Sequence, residues 1–200
     1  MVGYYQYSPD YFVQMSYQAP DSLLNIFQVN NMNYQQIFGG SFIIPFKAGK
    51  VLDSKRTLNF FRTVNKDDNF FGLSYKRSTG TFDVHLQNTI PTSTHPLIAV
   101  DLSVYYAYKR IQGIYNIKSS GNLSPGIKIT TNNNRADLII RANDVLNTNV
   151  PSTVIHYGLQ NSKAHYFQDT RVIIFGLTYR FGGFKPKEKE DLSTDRFKRR

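Results

Sequence analysis

Apolar and polar residues alternate with a period of two along most of this chain. Between Arg171 and Phe181, the residues Ile173, Phe175, Leu177, Tyr179 and Phe181 share one parity, and Val172, Ile174, Gly176, Thr178 and Arg180 share the other. Successive side chains of a strand point to opposite faces, so the segment reads as a strand with one wholly apolar face. From Pro96 to Lys109 the pattern repeats. Ile98, Val100, Leu102, Val104, Tyr106 and Tyr108 oppose Asp101, Ser103, Tyr105 and Lys109. Leu138, Ile140 and Ala142 oppose Asp137, Ile139, Arg141 and Asn143, while Leu123, Pro125, Ile127 and Ile129 oppose Ser124, Gly126, Lys128 and Thr130. Weaker alternation covers Phe82 to Gln87, Phe38 to Phe46 and Tyr11 to Tyr17. No window repeats apolar residues at the helical spacing. The pattern predicts about nine strands, over 3–7, 11–18, 34–46, 57–66, 79–90, 97–110, 122–131, 135–146 and 171–181.

Two features separate a membrane barrel from a soluble sandwich. Several of these strands reach the roughly 9–11 residues that a tilted membrane-spanning strand needs, beyond the usual length of about 5–6. Short links, at Ser8-Pro9-Asp10, Lys47 to Arg56, Pro91 to His95 and Asn132-Asn133-Asn134, alternate with longer ones at 19–33, 67–78, 111–121 and 147–170. Outer-membrane barrels carry tight periplasmic turns at one end and extended loops at the other. On this assignment the last strand runs inward. The expected fold is therefore all-β, an antiparallel up-and-down transmembrane β-barrel segment over 1–183. A Lys/Arg-rich tail at 184–200, with seven basic and four acidic residues, reads as a disordered periplasmic extension.

Composition narrows the function classes. The 200 residues carry a formal charge of +10, 14 Tyr, 15 Phe, no Trp and no Cys. Disulfide scaffolds, Cys-based zinc sites and thiol catalysis are excluded. The mean hydropathy of −0.39 fits a barrel as readily as a soluble protein, because only alternate residues face lipid. Apolar runs such as Phe42 to Phe46 are far too short for a spanning helix, and Met1 to Tyr5 lacks the form of a signal peptide. An export signal would then have been removed or lie upstream.

Candidate chemistry is sparse. His85, His95, His156 and His165 have no metal-ligand spacing, and no G-x-S-x-G or phosphate-binding glycine loop occurs. The reading is non-enzymatic, without cofactor or metal. Asp83, His85, Asp101, Lys128, Asp137, Arg141 and Arg180 fall on the polar parity and are candidates for a lumen-facing network. His85 is expected near Asp101, and Lys128 opposite Asp137. His156, Tyr157, His165 and Tyr166 lie in the longest link and are candidate ligand contacts. The aromatics oppose the bases in parity, which argues against a stacking groove for nucleic acid. Two residues conflict with the pattern. Arg62 shares the apolar parity unless a bulge at Phe60-Phe61 turns it inward, and Pro125 interrupts a strand and should sit near its extracellular end.

Three motifs carry a resemblance. Gln112-Gly113-Ile114-Tyr115, Asp144-Val145-Leu146-Asn147-Thr148 and Tyr179-Arg180-Phe181-Gly182 occur in this order. Residues 97–183 thereby resemble the carboxy-terminal barrel of TonB-dependent receptor-like outer membrane proteins of Bacteroidetes; the first half resembles it by pattern only. The resemblance implies a 22-stranded barrel plugged by an amino-terminal domain. It further implies uptake of a scarce ligand (siderophore, glycan or peptide) driven through TonB. The implied partners are outer membrane lipid, the rest of the barrel with its plug, and the barrel-assembly machinery, which would read Leu177, Tyr179 and Phe181 of the last strand. TonB would be contacted only through a part not in this sequence. A small autonomous pore or anchor of eight to ten strands and a soluble β-sandwich binding module are the alternatives.

Overall fold

The structure is a computed structural model describing residues 1–18, 24–70, 72–94, 96–131, 135–150, 152–158, 160–165 and 168–181. The tail at 184–200 lies outside them, as do His95 and Tyr166. The described residues form twelve strands: β1 Val2–Gln18, β2 Asn25–Ala48, β3 Leu52–Phe70, β4 Leu73–Thr94, β5 Leu97–Ala107, β6 Arg110–Gln112, β7 Tyr115–Ile117, β8 Ser120–Thr131, β9 Ala136–Asn143, β10 Ser152–Tyr157, β11 Gln160–His165 and β12 Val172–Tyr179. Eight of them make one antiparallel sheet in the order β1-β2-β3-β4-β5-β8-β9-β12, and the other four make a second sheet, β11-β10-β7-β6. The main sheet is not closed, since β1 and β12 each have one neighbour and form its edges.

The strands are fewer in the main sheet and longer than the sequence pattern predicts. Ser8-Pro9-Asp10 is not a turn. β1 continues through it, pairing Pro9 with Tyr34 and Tyr11 with Met32. Pro9 is tolerated because β1 is an edge strand and loses no ladder bond toward a second neighbour. Asp10 takes a φ of 49°, and Asp10 and Asn33 drop out of the ladder together. The alternation changes phase there, so that Val13 and Met32 join the same buried side as Gln35 and Asn65. The links expected at 19–33 and 67–78 are mostly strand: β2 has 24 residues and β4 has 22. β3 and β4 meet at a tight tip, with a register shift between Asp67 and Phe70.

Cross-strand rows carry the apolar parity through the sheet. Phe175 pairs with Ile140, Ile140 with Ile127, Ile127 with Val100, and Val100 with Ile90. A second row runs Leu177, Leu138, Ile129, Ile98. These side chains are exposed or half-buried, for example Phe175 at 73% and Ile127 at 44%. Among the described residues no second layer covers this face, so the apolar surface is uncovered there where a sandwich would bury it. Toward the end away from the tight turns, rings form a belt across four strands. Phe42–Phe60, Phe60–Phe82, Phe82–Tyr106 and Phe82–Tyr108 have centroid separations of 6.5, 6.3, 5.9 and 5.2 Å. Rings collected at one level are what the edge of an apolar band requires, because amphipathic and aromatic groups favour the membrane–water interface.

Arg62 is not turned inward. The β2–β3 register runs unbroken through Gly40↔Phe60, Gly39↔Phe61 and Phe38↔Arg62, so no bulge is present. Arg62 instead sits on the apolar parity just past the ring belt, donating to Ser78 Oγ at 2.8 Å. A charge at that level avoids the cost of the bilayer midplane. Arg56 lies deeper, between Ile44 and Leu86, and leans over the Phe46 ring at 5.1 Å, toward the turn at 49–51. Its long stem lets the guanidinium approach the interface. Pro125 pairs with Leu102 of β5, while the β8–β9 ladder begins only at Gly126. The missing N–H thus falls where β9 no longer needs it.

Candidate functional site

Two parts of the molecule carry candidate function: the polar face of the main sheet, and the small sheet packed across one end of it.

On the polar face, Asp137 of β9 is the most connected group. It is 4% exposed and accepts from Arg180 Nη2 at 2.5 Å and Thr130 Oγ1 at 2.7 Å, with Lys128 Nζ at 3.3 Å. The pairing differs from expectation in register. Thr130, not Lys128, lies directly opposite Asp137, and Lys128 faces Ile139. The lysine stem reaches diagonally to the carboxylate, two residues along β8 from the position opposite it. Arg141 lies exposed between Gly126 and Ile174.

The His85–Asp101 proximity does not occur. β4 runs on to Thr94 with a register shift between Pro91 and Ser93, which places Thr89 opposite Asp101 and Tyr105 opposite His85. Asp101 accepts from Thr89 Oγ1 at 2.6 Å, and His85 stacks on Tyr105 with centroids 4.5 Å apart. Asp83 accepts from Asn59 Nδ2 at 2.6 Å, and its other contact is His85 Nε2 at 3.7 Å. These are satisfied cross-strand pairs rather than an acid–base constellation around one point. Among the described residues no three His, Asp or Glu side chains gather as a metal site.

Apart from Arg110 at the start of β6, the small sheet comes from the two segments expected as loops, 111–121 and 147–170. β6 and β7 form a hairpin around Gly113-Ile114, and β10 and β11 form another around Gly158. β7 and β10 join them, pairing Thr153 with Ile117 and Ile155 with Tyr115. This cap rests on the main sheet through a core of Val13, Met32, Phe70, Tyr75, Ile114, Ile155 and Tyr157. Polar contacts fix its position. The Gly113 carbonyl accepts from Asn65 Nδ2 at 3.2 Å and Tyr75 Oη at 2.9 Å. Gly113 has a φ of 56°, and a Cβ there would lie 2.4 Å from Val13 Cγ1, so only glycine fits.

Tyr157 is a structural anchor. Its ring meets those of Phe70 and Tyr75 edge-on and its hydroxyl donates to the Phe70 and Leu73 carbonyls, so the ring and hydroxyl are taken up within the cap core. His156 and His165 are exposed on β10 and β11. Leu177, Tyr179 and Phe181 are exposed along the β12 edge, at 75%, 42% and 87%.

The second hairpin is held by Asp144, which sequence reasoning placed in a motif but gave no role. Asp144 is fully buried with a φ of 45°. Its carboxylate accepts from the Thr148 and Asn149 N–H groups at 3.0 Å each and from Thr170 Oγ1, while its own N–H donates to Ser124 Oγ. One residue, through its carboxylate and its own N–H, therefore ties the exit of β9 and the entry to β12 to β8. Burial opposes its charge, but the donors from Thr170, Asn149 and Thr148 prevail and hold the carboxyl below its ordinary range. A lowered folded value means that this contribution is complete above about pH 4 and is lost as pH falls through the folded value. Asp144→Ala leaves two backbone donors and a hydroxyl without an acceptor, and is expected to destabilise the cap by about 2–4 kcal/mol. Amide exchange at 152–157 checks this. The wild-type protection should fade only in acid, and that of the variant should be low at every pH.

The comparisons agree with the uncovered apolar face and ring belt. No curated protein and no solved structure matches the chain. A family model, the outer membrane protein beta-barrel family, matches residues 1–179. The chain belongs to the outer membrane protein beta-barrel family and is an outer membrane protein.

Proposed function

We propose that this chain forms part of the barrel wall of a TonB-dependent outer membrane receptor. In this reading it is a non-enzymatic transport protein taking up a scarce ligand such as a siderophore, a glycan or a peptide. The observation that carries the reading is the cap. Its two hairpins fold across the polar face at the end away from the tight turns, where a receptor would meet its ligand. The Gln112-Gly113-Ile114-Tyr115 and Asp144 to Thr148 motifs, which carry the resemblance to Bacteroidetes receptors, are the turn and the anchor of that cap. Asp83, Asp101, Lys128, Asp137, Arg141 and Arg180 would line a hydrated lumen. The free edges of β1 and β12 would pair with further strands, since an unpaired ladder is untenable in lipid. Plug, TonB and assembly machinery would be partners of that larger barrel.

The eight strands of the main sheet favour a second reading, because eight is the smallest number found in closed outer-membrane barrels. The mass of the native outer membrane species containing this sequence separates the two. A 22-stranded barrel with its plug requires well over twice 23.0 kDa, since a strand and its link use about 20 residues. A native species of 23.0 kDa that gives conductance steps in planar bilayers would overturn the receptor reading in favour of a small pore.

A further inference from the structure

We propose that the apolar-parity face of β2–β4, just beyond the ring belt, binds a phosphorylated lipid of the outer leaflet. The site is a basic patch beside an acyl-sized depression. This rests on reading that face as lipid-facing and the tight-turn end as periplasmic. Arg62, Lys66 and Lys76 share the outward parity past the Phe60–Phe82 contact. Lys66 and Lys76 lie directly opposite each other across β3 and β4. Like charges in that position repel, and a hydrophobic position there would pack better. Asp68 meets only one of them, binding Lys66 Nζ at 3.0 Å, and shares its carboxylate with Asn33 Nδ2. Three cations against one carboxylate leave a net positive patch at the height where lipid phosphates reside.

The depression is an independent feature. Gly80 lies opposite Arg62, and a Cβ there meets nothing within 4 Å. The space, about 450 Å³, is shallow and wide open on its outer side, with the rings of Phe38, Phe60, Phe82 and Tyr108 along it and Arg62 at its rim. An apolar hollow beginning at the ring belt and ending at a guanidinium matches an acyl chain below a phosphate. A soluble anion would use the cations and leave the hollow empty.

The test uses the full chain in detergent micelles, titrated with bisphosphorylated lipid A, with dephosphorylated lipid A and with inorganic phosphate, retained lipid being counted by native mass spectrometry. The bisphosphorylated lipid should bind at least tenfold more tightly than the dephosphorylated one, and millimolar phosphate should not displace it. Each basic residue near a charged surface accounts for about fivefold, so the triple variant Arg62→Gln, Lys66→Gln, Lys76→Gln should bind roughly 100-fold more weakly. Gly80→Phe keeps every charge and fills the hollow, so it should weaken both lipids. Equal binding of the two lipids, or affinity unchanged in both variants, would overturn this site while leaving the barrel reading intact. Labels at positions 62, 66 and 76 that are shielded from lipid-attached quenchers in the native outer membrane species would instead sink the lipid-facing reading on which the site rests.

Discussion

Val100→Arg is expected to destabilise the membrane-inserted protein by about 2–4 kcal/mol, whereas Ser103→Arg, three residues along the same strand, should cost little. Val100 lies mid-row on the apolar parity, between Ile90 and Ile127. In a bilayer its replacement puts a guanidinium near the hydrocarbon midplane, where water cannot reach it and the stem cannot fully carry the charge to the interface. Ser103 lies on the other parity between Gln87 and Ser124, beside polar groups. A cation there joins an inner surface that already holds Lys128, Arg141 and Arg180. Denaturant titration in lipid vesicles measures the difference. Equal costs at the two positions would mean that the two faces meet the same medium.

Gly113→Val should release the cap from the main sheet. Valine resists a φ of 56°, and its Cβ would meet Val13 Cγ1 at 2.4 Å. Left-handed backbone for a β-branched residue and overpacking of a filled site each cost about 1–3 kcal/mol. Together they exceed what two hydrogen bonds to the Gly113 carbonyl contribute, about 1 kcal/mol each. The hairpin is therefore expected to lift off, exposing Asn65 and Tyr75. Amide protection at 110–117 and 152–157 should fall by two orders of magnitude or more while that of β3 and β4 below Thr63 stays as in the wild type. Adding Val13→Ala removes the clash but not the backbone strain, so it should restore part of the protection. Full protection in Gly113→Val alone would show that the cap is not held through this turn.

The two parts of the molecule differ in how plainly they are written in the sequence. β5, β8, β9 and β12 follow from alternation, because each has one continuous apolar face left uncovered and a second face that is polar or mixed, and a two-residue period is what such strands display. Registers are less legible. β4 runs on through Pro91 to Thr94, which separates His85 from Asp101, and nothing in residue type marks that extension. The Asp10 phase change hides within a triplet whose Ser, Pro and Asp are good turn formers, yet the edge position of β1 allows the strand to pass through. The cap is nearly silent. β6 and β7 are three residues each, and β11 is Gln-Asn-Ser-Lys-Ala-His, with no apolar stripe to follow. Its signal is Gly113 and Gly158 as hairpin glycines with φ of 56° and 58°, flanked by Ile111, Ile117, Val154 and Ile155. Arg56, Ser54 and Asn88 break the apolar parity on β3 and β4. Ser54 and Asn88 satisfy one another at 2.8 Å, so their presence on that face lowers its hydropathy without leaving a polar group open.

The most direct test of an outward face in contact with hydrocarbon uses the absence of native Cys. Single cysteines placed in turn at Ile98, Ala99, Val100, Asp101, Leu102, Ser103, Val104 and Tyr105 can be labelled with a fluorophore in lipid vesicles. Labels at 98, 100, 102 and 104 should be quenched by nitroxides attached to lipid acyl chains, and labels at 99, 101, 103 and 105 by a water-soluble quencher. Even positions shielded from both quenchers, as between two packed protein layers, would contradict a lipid-facing sheet.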